Sequence, residues 1–242
     1  MHALCTLTFM VLLTLVTSTA QAEGLIHQLP KDGAWVRYDV SGEAKGPDGA
    51  VKATLKGTLT ISSVGETTVD NEKCRWIELD TQIDFKTNGG REGKQSEVLK
   101  LLIPEKFLTK NQNPIDQVLK AYKKNSQGTI QQLDPKDSSG RSFQGMDEFF
   151  HSPLKQLKKL EAEVVETKLG KLKCEGWQGR ETKNETVFKT QTRLHEKAPF
   201  GVVSFRYEKE RIRNGQSNGK RDSVLKLVDY GKNAKSQLSD SQ

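Results

Sequence analysis

Three cysteines and four histidines carry most of the nucleophilic and metal-binding capacity of this 242-residue chain. Metal sites that can be read from sequence gather their ligands at short spacings, on one helix face or in a tight turn. Cys5, Cys74 and Cys174 are far apart, and no two of His2, His27, His151 and His195 stand three or four apart. No HExxH, nucleophile elbow, phosphate-binding glycine loop or dinucleotide fingerprint is present. The run Ser138-Ser139-Gly140-Arg141-Ser142 has loop composition. Glu208 and Glu210 lie two apart, a spacing that puts two carboxylates on one strand face. Acid–base work by such a pair is possible, but solvated surface charge is the commoner state. The sequence therefore implies no catalytic set, no metal and no cofactor.

Cys74 and Cys174 each begin an expected strand just after a turn, in the contexts Cys74-Arg75-Trp76 and Cys174-Glu175-Gly176-Trp177. In an oxidising compartment the two could pair. Such a disulfide would close a loop of about 100 residues, worth about 4–5 kcal/mol in the chain-entropy treatment. Two buried free thiols are the other reading, and spacing does not choose between them.

Charge is placed unevenly. Lys and Arg number 38 against 31 Asp and Glu, a net charge of +7. Residues 23–150 hold 18 basic and 19 acidic groups, whereas residues 151–242 hold 20 and 12. Lys209, Arg211, Arg213, Lys220 and Arg221 cluster around Asn214-Gly215. A basic tip of this kind suits an anionic envelope polymer or lipid headgroups; a solvated hairpin without a partner is the alternative. Nucleic acid is disfavoured, since aromatic residues are not interleaved with the cluster for base stacking.

Residues 4–16 form an apolar run, and Ala20-Gln21-Ala22 fits a small-x-small cleavage point, so residues 1–22 read as a secretory signal peptide. The expected location is periplasmic or secreted, which also argues against nucleic acid. No cysteine stands at the cleavage point to accept a lipid. No later run reaches the roughly 18 apolar residues of a membrane-spanning helix.

Alternation of period two marks the elements that must position these groups. In residues 51–61, Val51, Ala53, Leu55, Gly57, Leu59 and Ile61 fall on one face and Lys and Thr on the other, as in a half-buried antiparallel strand. Residues 75–85 repeat the pattern with Ile77, Leu79, Ile83 and Phe85 inward. Further strands are expected at 34–45, 94–103, 161–168, 172–182, 185–196, 202–213 and 221–230. Turn residues separate them, among them Pro47-Asp48-Gly49, Asp70-Asn71 and Asn214-Gly215. Long strands in up-and-down order accumulate twist and coil. In the middle, Asn113-Pro114-Ile115-Asp116 has the chemistry of a helix start. Ile115, Val118, Leu119 and Tyr122 then recur as a helical stripe. Ser152-Pro153 is a second helix start.

The expected fold is mainly β: a curved antiparallel sheet, half-barrel or open barrel, forming a single domain over 23–230. A helical insert at about 104–160 would place one or two helices on the concave face. A closed barrel with the helices outside is the alternative. Residues 231–242 have no periodicity and read as a disordered tail.

Four segments, Gly33-Ala34-Trp35-Val36-Arg37-Tyr38, Cys74-Arg75-Trp76-Ile77-Glu78, Leu101-Leu102-Ile103-Pro104-Glu105-Lys106 and Ala198-Pro199-Phe200-Gly201-Val202-Val203, resemble those of small secreted bacterial β-rich proteins. The architecture is also similar to the lipoprotein-carrier (LolA-like) half-barrel. That resemblance implies a sheet wrapped around an apolar cavity, covered by inserted helices, binding acyl chains without chemistry. On this reading the ligand is an acyl chain or lipid held between sheet and lid. Its candidate pocket comprises Leu55, Leu59, Ile61, Leu79, Ile83, Phe85, Leu101, Ile115, Val118, Leu119 and Tyr122. The other reading is a non-catalytic structural or interaction protein of the cell envelope that uses its basic 209–221 hairpin.

Overall fold

A computed structural model describes residues 24–109, 114–136 and 157–238. The expected signal peptide, the second helix start and His151 lie outside the described residues. Among the described residues, eleven strands form one antiparallel sheet. They are β1 (Trp35–Lys45), β2 (Val51–Val69), β3 (Glu72–Thr87), β4 (Glu92–Pro104), β5 (Lys120–Lys124), β6 (Ile130–Leu133), β7 (Lys158–Thr167), β8 (Gly170–Lys183), β9 (Thr186–Leu194), β10 (Val202–Arg213) and β11 (Gln216–Gly231). The sheet order is β6-β5-β4-β3-β2-β1-β11-β10-β9-β8-β7. Each half of the chain is a local meander, and the halves join where β1 pairs with β11. β6 and β7 form the two edges, so the sheet is open and not a closed barrel.

Turn chemistry fixes the register. Asp70 and Asn71, Asn184 and Glu185, and Asn214 and Gly215 occupy left-handed conformations as two-residue hairpin loops, the geometry whose twist matches that of the strands. The polar–apolar alternation then sends one set of side chains inward. Val36, Ile61, Leu79 and Leu99 stand in register across β1 to β4. On the other side of the seam, Val40, Leu225 and Phe205 do the same. All seven are buried in one core. That core also takes in Leu25, Ile26, Leu108 and Phe200 from outside the sheet, and Leu172 and Cys174 from β8. Curvature is seen directly in an ion pair: Lys168, in the turn before β8, reaches Asp229 of β11 at 3.1 Å. Tyr38 is enclosed in this core and donates its hydroxyl to the Val202 carbonyl at 3.0 Å. Burial pushes its phenol far above the ordinary range.

The helical insert is not borne out among the described residues. Residues Pro114–Gln117 make a single 3-10 turn, as do Glu105–Phe107. Lys120–Lys124 is a strand on the free edge of β4. The edge explains the outcome. Leu99, Leu101, Leu102 and Ile103 of β4 are buried, and buried backbone donors and acceptors there need partners. A helix satisfies only its own backbone, whereas β5 satisfies both its own and that of β4. The strand also splits the expected stripe. Val118 enters the core, Ile115 packs against it, and Tyr122 lies on the other side of the sheet with Trp76 and Leu102. Leu119 is 44% exposed. The second helix was expected to run through Lys158 and Lys159, which instead begin β7. Of the expected tail, Gly231 ends β11 and residues up to Leu238 are seated on the sheet, with Leu238 buried; residues 239–242 lie outside the described residues.

Candidate anion-binding cleft

The hairpin β10–β11 closes at Asn214-Gly215, as the sequence predicts. Register brings the basic residues together. Lys209 stands opposite Arg221. Across the seam, Arg221 faces Ala44 and Lys220 faces Lys45 of β1. Lys209, Arg211, Lys220 and Arg221 line one cleft of about 300 Å³, whose remaining walls are Ala44, Asn218 and Gly219. Arg213 sits beyond it at the hairpin tip. Gly219 is in a left-handed conformation, and a Cβ there would come 3.2 Å from the Lys45 carbonyl. Glycine thus lets β11 approach the end of β1 and complete the cleft.

The nearby acids are mostly committed elsewhere. Glu208 accepts from Lys189 at 2.8 Å and from Lys220 at 2.7 Å. Burial pushes its carboxyl up, but the hydrogen bonds of the two lysines outweigh this and hold it below the usual carboxylate range. Asp222 is gripped at both oxygens by Arg206. Lys209 lies over the Phe188 ring at 5.6 Å, which fixes its direction. Arg211 makes no ion pair with a described residue. The cleft therefore presents a concentration of positive charge, with the Lys220 ammonium held by Glu208.

The apolar candidates divide differently. Leu59, Ile61, Leu79 and Leu101 are fully buried in the core. Leu55 and Ile83 pack against it, and Phe85 is half-buried towards the far end of β3. Among the described residues this face is covered by the chain's own Leu25, Ile26, Leu108 and Phe200, without a helical lid. Ile115 and Val118 join it, whereas Leu119 and Tyr122 do not.

A second cleft, of about 290 Å³, gathers His27, His195, Glu175 and Glu196 with Gln28 and Lys173. No serine or cysteine lines it, so a nucleophile does not stand beside these bases. No cluster of three metal-ligating side chains occurs among the described residues. Glu208, half of the carboxylate pair seen in sequence, is held by two lysines.

Cys74 and Cys174 are both free and buried. Strands β3 and β8 are far apart in the sheet order. Cys74 packs with Trp76 and Leu102, whereas Cys174 belongs to the main core. In this structure the two do not pair and lie as separate buried thiols. Burial is the main cause that raises both thiols, so little thiolate forms at neutral pH. A thiol reagent should find both in denatured, unreduced protein lacking residues 1–22. Neither should react within minutes in the native state. A blocked pair after denaturation would mean that the disulfide forms.

Sequence reading found the five basic residues but missed Ala44, Asn218, Gly219 and the restraint by Glu208. Asn218, Gly219 and Glu208 lie within the hairpin segment, whereas Ala44 arrives by the pairing of β1 with β11, which joins segments some 175 residues apart and leaves no local sequence signal.

No protein-family model and no curated protein matches the chain. Some solved structures align with most of the chain at low similarity. One is a candidate exported protein with a YmcC-like fold from Bacteroides fragilis, with 11% identity and a TM-score of 0.29, covering 86% of this chain and 100% of that one. Another is a candidate lipoprotein from Parabacteroides distasonis, with 10% identity and a TM-score of 0.29, covering 87% and 100%. A third is a β-barrel-like protein of a domain of unknown function from Brucella abortus, with 9% identity and a TM-score of 0.33, covering 86% and 99%.

Proposed function

We propose that this is an exported, non-catalytic protein that holds the phosphate groups of an anionic lipid surface in the cleft of its β10–β11 hairpin. The observation that carries this reading is the convergence of Lys209, Arg211, Lys220 and Arg221 on one cleft. The apolar run at 4–16 followed by Ala20-Gln21-Ala22 supports export. Near an anionic membrane each such cation contributes about 1 kcal/mol, within a screening length of about 8 Å at physiological salt. Guanidinium groups add paired hydrogen bonds to phosphate oxygens that a point charge does not offer.

Vesicle sedimentation tests the proposal. Protein lacking residues 1–22 should pellet with vesicles containing phosphatidylglycerol, stay in solution with pure phosphatidylcholine, and be released by salt. The double reversal Lys209→Glu with Arg211→Glu should weaken binding at least about tenfold, since it removes two attractions and adds two repulsions. Glu208→Gln, which releases Lys220, should tighten it severalfold. Equal pelleting with both vesicle types, or binding unchanged by the double reversal, overturns the reading. Binding to soluble polyphosphate with none to vesicles would move the target from a lipid surface to a free polyanion, and so also overturns it.

A further inference from the structure

On the outer face of the sheet, Glu78 of β3 and Lys100 of β4 stand directly opposite each other. Glu78 is 3% exposed and Lys100 only 1%. Their cover is the chain segment that follows β11. Asn233 turns that segment through a left-handed conformation, and the Ala234 amide donates to the Gly33 carbonyl at 2.9 Å. Residues 236–238 then lie along β3 and β4 in an arrangement that reads main chain. The Glu78 carboxylate accepts the amides of Gln237 at 2.9 Å and Leu238 at 3.4 Å. It also accepts the hydroxyl of Ser236. The Lys100 ammonium donates to the Ser236 hydroxyl and to the Leu238 carbonyl, both at 2.9 Å. Its position over the Trp76 ring, 4.8 Å from the centroid, sets its direction. Gln237 adds a hydrogen bond to Asp80 at 2.9 Å. Leu238 is 2% exposed and closes the seat.

We infer that Glu78, Lys100 and Trp76 form a docking site for a short turned peptide with a serine two residues before an aliphatic side chain, and that residues 236–238 occupy it in this chain. The composition of the seat supports an exchangeable occupant. A face meant to stay covered is normally apolar, as the inner face of this sheet is, because desolvating a charge is costly. Glu78 and Lys100 are at home in water, so the seat stands uncovered without exposing a large apolar patch. The groups recognised are two consecutive amides, a carbonyl and a small hydroxyl, which a serine-led turn of this pattern supplies. Only residues 232–235 link β11 to the seat. The resident segment therefore acts at an effective concentration in the millimolar range and excludes weaker competitors.

The test uses the whole chain with its occupant weakened in place. Leu238→Asp should free the seat, and a fluorescent peptide of residues 234–242 in the natural sequence is then titrated. The Leu238→Asp chain should bind it at least about tenfold more tightly than the unaltered chain, whose own segment competes. Adding Glu78→Gln to Leu238→Asp should abolish that gain. Peptide binding absent up to about 1 mM, a ceiling for useful recognition, in a Leu238→Asp chain with an unchanged circular dichroism spectrum overturns the inference. If that variant does not fold, hydrogen exchange of the unaltered chain decides. The amides of Gln237 and Leu238 should exchange by local opening, well before those of central β3. Exchange only together with β3 makes the segment an integral part of the sheet and overturns the inference.

Discussion

Gly57→Ala should lower the unfolding free energy by about 3 kcal/mol, at the upper end of the range for overpacking. A Cβ built at Gly57 would lie 1.9 Å from the Gln82 carbonyl oxygen and 2.9 Å from the Ile83 Cα. These are backbone atoms of the paired strand, so no side-chain rotation relieves the clash. Gly57 stands between Val40 and Ile83 in register, where β2 and β3 come unusually close. Either the two strands part, with loss of ladder hydrogen bonds, or the neighbouring core residues shift. Larger residues should do worse, and Gly57→Val should not accumulate as folded protein. Urea denaturation of the alanine variant measures the loss. A midpoint within the error of the parent would show that the strands separate freely and that the close approach is not required.

Arg75→Met should cost a similar amount, about 3 kcal/mol, for an electrostatic reason. Arg75 is 4% exposed and stands at one end of the inner face of β3, opposite Ile103 of β4. It donates to Glu105 from Nε at 3.1 Å and from Nη2 at 2.6 Å. Nη2 also pairs with Glu66 at 2.7 Å. Nη1 donates to Ser63 at 3.2 Å and approaches Asp32 at 3.8 Å. One side chain thus ties the turn before β1, the middle of β2 and the 3-10 turn after β4. Methionine keeps the volume and leaves Glu105, the least exposed of the three acids, without its cation. The loss should not reach the top of the range for broken buried pairs, because Glu66 and Asp32 are near water and rehydrate. Arg75→Lys should recover less than half, since an ammonium cannot reach several partners in the planar fork geometry. Combining Arg75→Met with Glu105→Gln should cost less than the sum of the two changes. Additive losses in that cycle would show that the pair does not act as a unit.

Much of this sheet is visible in the chain before folding, and what escapes has a common cause. Alternation locates β10 at 202–213, where the structure also has it, because one face of that strand meets the core and the other meets water. The same signal puts Leu59, Ile61, Leu79 and Leu101 inside. It fails at Lys120–Lys124, where five residues are too few to separate period two from a helical stripe. There the open edge of β4 decided the conformation, a tertiary demand that no local window contains. It fails again after Gly231. Lysine, serine and glutamine look disordered by composition, yet Ser236 and Gln237 are held by Glu78, some 160 positions earlier. The basic hairpin was legible because its five charges flank one turn. The approach of β1, which brings Ala44 against the hairpin and makes it a cleft, was not.

The placement of β1 in the sheet has a consequence for the chain as it is made. Synthesis runs from the amino end, so β1 appears first among the strands and β2 follows within a few residues. Its second neighbour, β11, is the last strand. Through nearly the whole of elongation, one edge of β1 presents unpaired amides and carbonyls beside the apolar row Val36, Tyr38 and Val40. An open edge next to apolar side chains is a template for pairing with other chains. The strand that ends up most protected is therefore the one left waiting longest, and the nascent chain must be kept from its neighbours until residues 216–231 arrive.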